Sequence, residues 1–198
     1  NIGKNKDTAE EQALDDYLIC LRKVYQFASY VTVNISSPNT PGLRNLQHGQ
    51  ALDTLLTGLK NEQQLLETKH GKYVPILVKI APDLNDQEIV DMSNSLINAK
   101  IDGVIATNTT LDREQVTGQQ FSQEMGGLSG AVLTAKSQAV TEKLSEVIAG
   151  RIPVVGVGGI HSAMTAKARI KGGSTLIQLY SSLIYSGPIV IKEIVDSI

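Results

Sequence analysis

The stretch Val154-Val155-Gly156-Val157-Gly158-Gly159-Ile160-His161-Ser162 decides the fold class. A short β-branched run enters a double-glycine turn, and a helix-capping serine follows at once. The run has no alternation of apolar and polar residues, so it reads as a strand covered on both faces, the habit of parallel sheets. Four more runs of the same kind lie at Tyr30–Ser36, Pro75–Ala81, Gly103–Asn108 and Ser174–Tyr180. Amphipathic helices are predicted between them. Thr8-Ala9-Glu10-Glu11 has the form of a capping box ahead of an apolar face through Leu14, Tyr17, Leu18, Leu21, Val24, Tyr25 and Ala28. Leu52, Leu55, Leu56 and Leu59 mark a second helix, and Asn85-Asp86-Gln87-Glu88 caps a third. Val140, Leu144, Val147 and Ile148 mark a fourth, Ser162 caps a fifth, and Pro188 opens a sixth. Strand and helix alternate throughout, which predicts an α/β fold on a parallel sheet.

The composition agrees with a globular domain large enough for a real core. Of 198 residues, 41% are hydrophobic and 19% charged, and 18 Lys+Arg nearly balance 20 Asp+Glu. A net charge of -2 gives no basic field for nucleic acid. The single cysteine, Cys20, rules out a disulfide framework. It lies in the apolar face of the first helix and reads as a small core residue. No apolar run approaches the roughly 20 residues of a membrane span.

Polar residues and glycines gather where the predicted strands end: Asn34-Ile35-Ser36-Ser37-Pro38-Asn39-Thr40, Lys79 in Val78-Lys79-Ile80, Thr107-Asn108-Thr109-Thr110, Gly158-Gly159, and Tyr180-Ser181-Ser182. An open doubly wound sheet would gather such residues at one switch point. Contributions from five successive strands favour a (β/α)8 TIM barrel, whose site lies on that face. Each element also has a plain structural explanation. Asn and Ser form turns after strands, and Gly158-Gly159 is as consistent with a tight turn as with a phosphate cradle at a helix N-terminus. A lysine inside an apolar strand is different. Lys79 would be buried and in need of a partner. His48, His70 and His161 show no metal-ligand spacing and no evident partner carboxylate, and read as solvent-facing.

The loop Asn34-Ile35-Ser36-Ser37-Pro38-Asn39-Thr40-Pro41-Gly42-Leu43-Arg44 strongly resembles the catalytic loop of class 2, quinone-dependent dihydroorotate dehydrogenases. Val78–Leu84, Ala106–Thr110, Gly126–Gly130, Gly156–Ile160 and Leu179–Ser181 are similar to the same family, in the same order. Class 1 members carry cysteine where this chain has Ser37. The resemblance implies FMN-dependent oxidation of (S)-dihydroorotate to orotate, with a quinone as acceptor, in pyrimidine synthesis. It implies that Ser37, aided by Thr40, is the catalytic base. Asn34, Asn39, Asn108 and Thr109 would bind the substrate. Asn1, Asn34, Lys79, Thr107, Gly130, Gly159, Tyr180 and Ser181 would bind FMN.

The resemblance also numbers the five strands as four to eight of the barrel, with Asn1-Ile2-Gly3 ending a third. The chain would then be the C-terminal part of one FMN-binding barrel domain. The first strands and an N-terminal helical segment would lie outside it, and that segment would place the enzyme peripherally on the cytoplasmic side of the inner membrane. Two other readings stay open: another FMN barrel oxidoreductase of class 1 type, and a non-catalytic phosphate-binding module.

Overall fold

The computed structural model describes residues 1–198. Five parallel strands form one sheet: β1 (Val31–Asn34), β2 (Ile76–Ile80), β3 (Gly103–Ala106), β4 (Val154–Val157) and β5 (Leu176–Gln178). Their spatial order is their chain order, β1-β2-β3-β4-β5. Register runs from Val33 opposite Val78 to Val157 opposite Gln178. A doubly wound sheet reverses its strand order at the switch point. No reversal occurs here, so the sheet is a segment of a (β/α)8 wall. Ile2 pairs in parallel with Val33, its N–H donating to the Thr32 carbonyl at 2.8 Å. The N-terminal residues thus continue the wall beside β1, as their sequence suggests.

The helices are α1 (Ala13–Val24), α2 (Gly49–His70), α3 (Asp86–Asn98), α4 (Thr134–Ile148), α5 (Ala163–Lys171), α6 (Ser181–Ser186) and α7 (Ile189–Val195). Two carry the side-chain caps that the sequence predicts, and Pro188 stands directly before α7. Asn85 accepts from the Glu88 N–H at 3.0 Å while Glu88 accepts from the Asn85 N–H at 2.7 Å. Ser162 and Thr165 make the same reciprocal pair at α5. The predicted cap at Thr8 does not form. A 3-10 turn, Glu10–Gln12, precedes α1 with Ala9 at its cap and no side-chain capping, and the Thr8 carbonyl accepts from the buried Lys4 ammonium at 2.5 Å.

Apolar faces of α1 to α4 cover β1 to β4 in one cluster of 30 buried residues, among them Tyr17, Leu21, Leu56, Val78, Val104 and Leu144. Cys20 packs against this cluster, as expected of a small core residue. A separate cluster of four, Ile160, Ala166, Val190 and Ile194, underlies the β5 side. The strands are shorter than the apolar runs, because the ladder stops where the backbone turns into the site. They are also less evenly buried. β2 alternates buried and half-buried residues, and Leu176 of β5 is exposed. β5 is an edge strand here, with no neighbour on its far side. No helix is long and apolar enough to cross a membrane.

Candidate active site

The main cavity, main in the number of predicted residues it gathers, is about 620 Å³ and opens at the C-terminal strand ends, while a more open one of about 880 Å³ lies against Pro38, Asn39 and Arg113. Lys79, Thr107, Asn108, Thr109, Gly130, Gly159, Tyr180 and Ser181 all line the main cavity. A smaller cavity of about 250 Å³ shares Lys79 with it and is lined by Asn1, so Asn1 sits beside the main cavity. Asn34 joins from β1 through side-chain bonds. Its Oδ1 accepts from Asn108 Nδ2 at 3.2 Å and from the Ser36 N–H at 3.3 Å. Asn108 Oδ1 accepts from the Thr109 N–H at 2.8 Å. The residues predicted from β1 and β3 therefore form one hydrogen-bonded edge.

Ser37, Asn39 and Thr40 stand apart on the loop after β1, outside the main cavity's lining. Ser37 is half-buried. Its Oγ accepts from the Asn39 N–H at 3.2 Å and meets no histidine or carboxylate. The structure thus holds no conventional base for this serine.

Lys79 departs from expectation in an informative way. It is half-buried, yet its ammonium has no hydrogen bond or ion pair within the chain, and burial pulls its pKa below the usual lysine value. An unpaired, partly desolvated cation facing a cavity is poised to meet an anionic or electron-rich group. At the other end the walls are backbone. Gly159 has φ +72, and a Cβ there would lie 2.3 Å from the Thr134 nitrogen. Gly130, with φ +91, faces Ser181, whose Oγ lies 3.2 Å from Ser129 Oγ. Such a side-chain-free turn lets amides approach a phosphate closely. A free cation, an amide-lined edge and a glycine cradle fit a planar group that carries a phosphate.

Several contributors escaped the sequence reading. Ser36 is fully buried and donates to the Lys79 carbonyl at 2.7 Å while accepting from Asn108 Nδ2 at 3.1 Å. It locks the Asn34–Asn108 edge to β2. Arg44 and Asp83 pair at 2.8 Å below the loops. Arg169, only 1% exposed, donates to the carbonyls of Val157 at 3.3 Å and Gly158 at 3.0 Å. Burial draws its pKa down to about 10, so it stays cationic at neutral pH. His161 is exposed as expected but also lines the cavity, its Nδ1 donating to the Gly159 carbonyl at 3.0 Å. His48 Nδ1 lies 4.0 Å from Glu88, beyond hydrogen-bond distance, and His48 lines no part of the cavity.

The strand order and this end-of-strand site define the scaffold of a TIM-barrel enzyme. A dihydroorotate dehydrogenase family model matches residues 1–198, and the chain belongs to that family, which is flavin-dependent. It is 67% identical over its full length to a dihydroorotate dehydrogenase (quinone) of Pseudoalteromonas atlantica. It is 56% identical to the enzyme of the same name from Serratia proteamaculans. It spans 59% of the length of both relatives. Among solved structures, a ligand-free DHODH from Eimeria tenella superposes with TM-score 0.92 at 37% identity. That match covers 100% of this chain and 57% of the other. The Eimeria tenella DHODH solved in complex with ferulenol gives 0.91 at 36% identity, covering 100% and 56%.

Proposed function

We propose that residues 1–198 form the C-terminal part of a single FMN-binding barrel domain that oxidises (S)-dihydroorotate to orotate. The observation that carries this reading is the unpaired Lys79 ammonium, which shares one cavity with the Asn108 edge and the Gly159 turn. FMN, when bound, supplies the acceptor for the hydride from substrate C6 and the route by which both electrons reach a quinone. Lys79, Thr107 and Gly130 would hold its ring system, with Asn1 and Asn34 at the β1 edge. Backbone amides at Gly159, Tyr180 and Ser181 would hold its phosphate.

Asn34, Asn39, Asn108 and Thr109 suit the substrate because its ring is edged by amide donors and acceptors, and each asparagine offers both. Ser37 would take the proton from C5 as the hydride leaves C6; proton and hydride together remove two hydrogens and two electrons, and the C5–C6 double bond of orotate forms. Serine is a weak base, and the proton would pass onward with help from Thr40. Lys79 would stabilise the negative charge that gathers on the cofactor side of the transition state. Attachment to the cytoplasmic face of the inner membrane would reside in a segment outside residues 1–198.

The test uses the full-length protein. It should purify yellow, lose its flavin colour anaerobically with dihydroorotate, and regain it with a quinone. Recolouring by fumarate or NAD instead would point to a class 1 type enzyme. Absence of bound flavin would favour the phosphate-binding module.

A further inference from the structure

The Arg44 guanidinium lies where three strand-end loops meet. Nε donates to the Ser36 carbonyl at 3.1 Å, Nη2 to the Thr109 carbonyl at 3.0 Å, and Nη1 to Asp83 at 2.8 Å. Those partners follow β1, β3 and β2 respectively. The arginine reaches them because a 3-10 turn, Leu43–Gln47, folds back from Gly42, which has φ +69. Asp83 is itself anchored. It accepts from the Leu111 N–H at 3.0 Å, from Lys136 at 2.8 Å and from the Thr110 hydroxyl.

The Ser36 carbonyl belongs to the peptide that joins Ser36 to Ser37. The Thr109 carbonyl directly follows the Asn108–Thr109 edge. Ser37 is otherwise lightly held, its side chain bonded only to Asn39 of its own loop. The position of its hydroxyl relative to Asn108 and Thr109 therefore depends on the backbone that Arg44 ties down. A planar fork with several fixed donors can span two carbonyls and a carboxylate at once, whereas a lysine offers a single point of donation.

We infer that Arg44, oriented by Asp83, is a positioning residue that sets the Ser37 loop against the substrate edge. The inference rests on the role proposed above for Ser37. It predicts that damage at Arg44 falls on proton and hydride removal from substrate and spares the exit of electrons to quinone. Misplacement of a reacting group by about 1 Å costs on the order of a hundredfold in rate.

The flavin-loaded, full-length enzyme separates the two half-reactions in rapid mixing. For Arg44→Lys, flavin bleaching by dihydroorotate should slow about ten- to a hundredfold. Flavin content and recolouring by quinone should stay at the wild-type level. Arg44→Ala should slow further, and added methylguanidinium should restore part of the bleaching rate. Asp83→Asn, which leaves both carbonyl bonds of Arg44 available, should slow bleaching only a few-fold. Wild-type bleaching in Arg44→Lys would overturn the inference. So would parallel loss of flavin and of both half-reactions with no methylguanidinium rescue, since that marks a purely structural residue. A wild-type enzyme that dihydroorotate cannot bleach overturns the functional reading itself.

Discussion

The two halves of the site are built from different materials. After β1, β2 and β3 it is made of side chains: Asn34, Ser36 and Asn108 bond to one another, and Arg44 and Asp83 cross-link the loops below. After β4 and β5 it is made largely of backbone, with Gly158 and Gly159 turning at φ +101 and +72 and Ser181 opening α6. The packing beneath differs as well, a 30-residue core against a four-residue one. Chemistry that depends on placing a hydroxyl to a fraction of an ångström suits the first half. Holding a phosphate needs only inward-facing amides and room, and suits the second. Substitutions in the first half should therefore change rates, and those in the second should change occupancy.

The largest effect is expected for Ser37→Ala. General-base removal costs about 10²- to 10⁴-fold, so turnover should nearly vanish while flavin stays bound. Dihydroorotate oxidation at several pH values measures it, and unchanged turnover would end the role of Ser37. Gly159→Ala should do the reverse. Its Cβ would lie 2.3 Å from the Thr134 nitrogen and 2.4 Å from its Cα, in a left-handed conformation. Flavin occupancy should fall sharply, read from the ratio of flavin to protein absorbance. Gly150→Ala is the control. It shares the positive φ, +76, but a Cβ there meets nothing within 4 Å. It should cost only about 1–2 kcal/mol of stability and leave occupancy alone.

What the sequence made legible follows from this division. Strands and glycine turns are local features, so β-branched runs and Gly158-Gly159 revealed the architecture and the backbone half. Lys79 was visible because an ammonium in an apolar strand is anomalous, though the partner it was expected to have is not in the chain. Arg44 and Asp83 were not legible as a pair. They lie 39 residues apart on separate loops, and each is unremarkable on a surface. Ser36 was hidden by its neighbour, since nothing in Ser36-Ser37 tells which hydroxyl turns inward. Arg169 near the end of α5 resembles an ordinary helix C-terminal cation, and only the fold turns it under Gly158. The cap at Thr8 fails for a local reason: the first turn is a 3-10 turn that begins at Glu10, which puts Ala9 at the capping position and leaves Thr8 outside it.

Lys79 sits where the two halves meet, and its replacement gives a smaller, mixed effect. Lys79→Met should weaken flavin binding about ten- to a hundredfold, the loss of one charge-assisted contact. It should also raise the melting temperature of the flavin-free protein at neutral pH. The sign follows from the lowered pKa. The unfolded chain holds this proton more tightly than the folded one, so the charged lysine opposes folding at every pH below its folded pKa. The penalty fades as pH rises toward the unfolded value. A lower melting temperature in the methionine variant would mean that Lys79 has a stabilising partner.

The smallest effect concerns acid. Burial alone would raise the Asp83 pKa. Hydrogen bonds from Lys136, Thr110, the Leu111 N–H and Arg44 outweigh it and hold the group at about 2, below its ordinary 3.8. Between those values the unfolded chain binds the proton and the folded chain does not. Stability from Asp83 is therefore complete above the ordinary value and is lost as pH falls through about 2. No carboxylate accepts a hydrogen bond from Gly158, Gly159, Tyr180 or Ser181, so the backbone half has no matching titration. In Asp83→Asn the melting temperature should decline less steeply with acidification across that window. The difference should shrink in high salt, because the carboxylate is 21% exposed. Equal slopes in the two proteins would show that the cross-link below the Ser37 loop contributes no net stability, leaving Arg44 to act through its two carbonyl bonds alone.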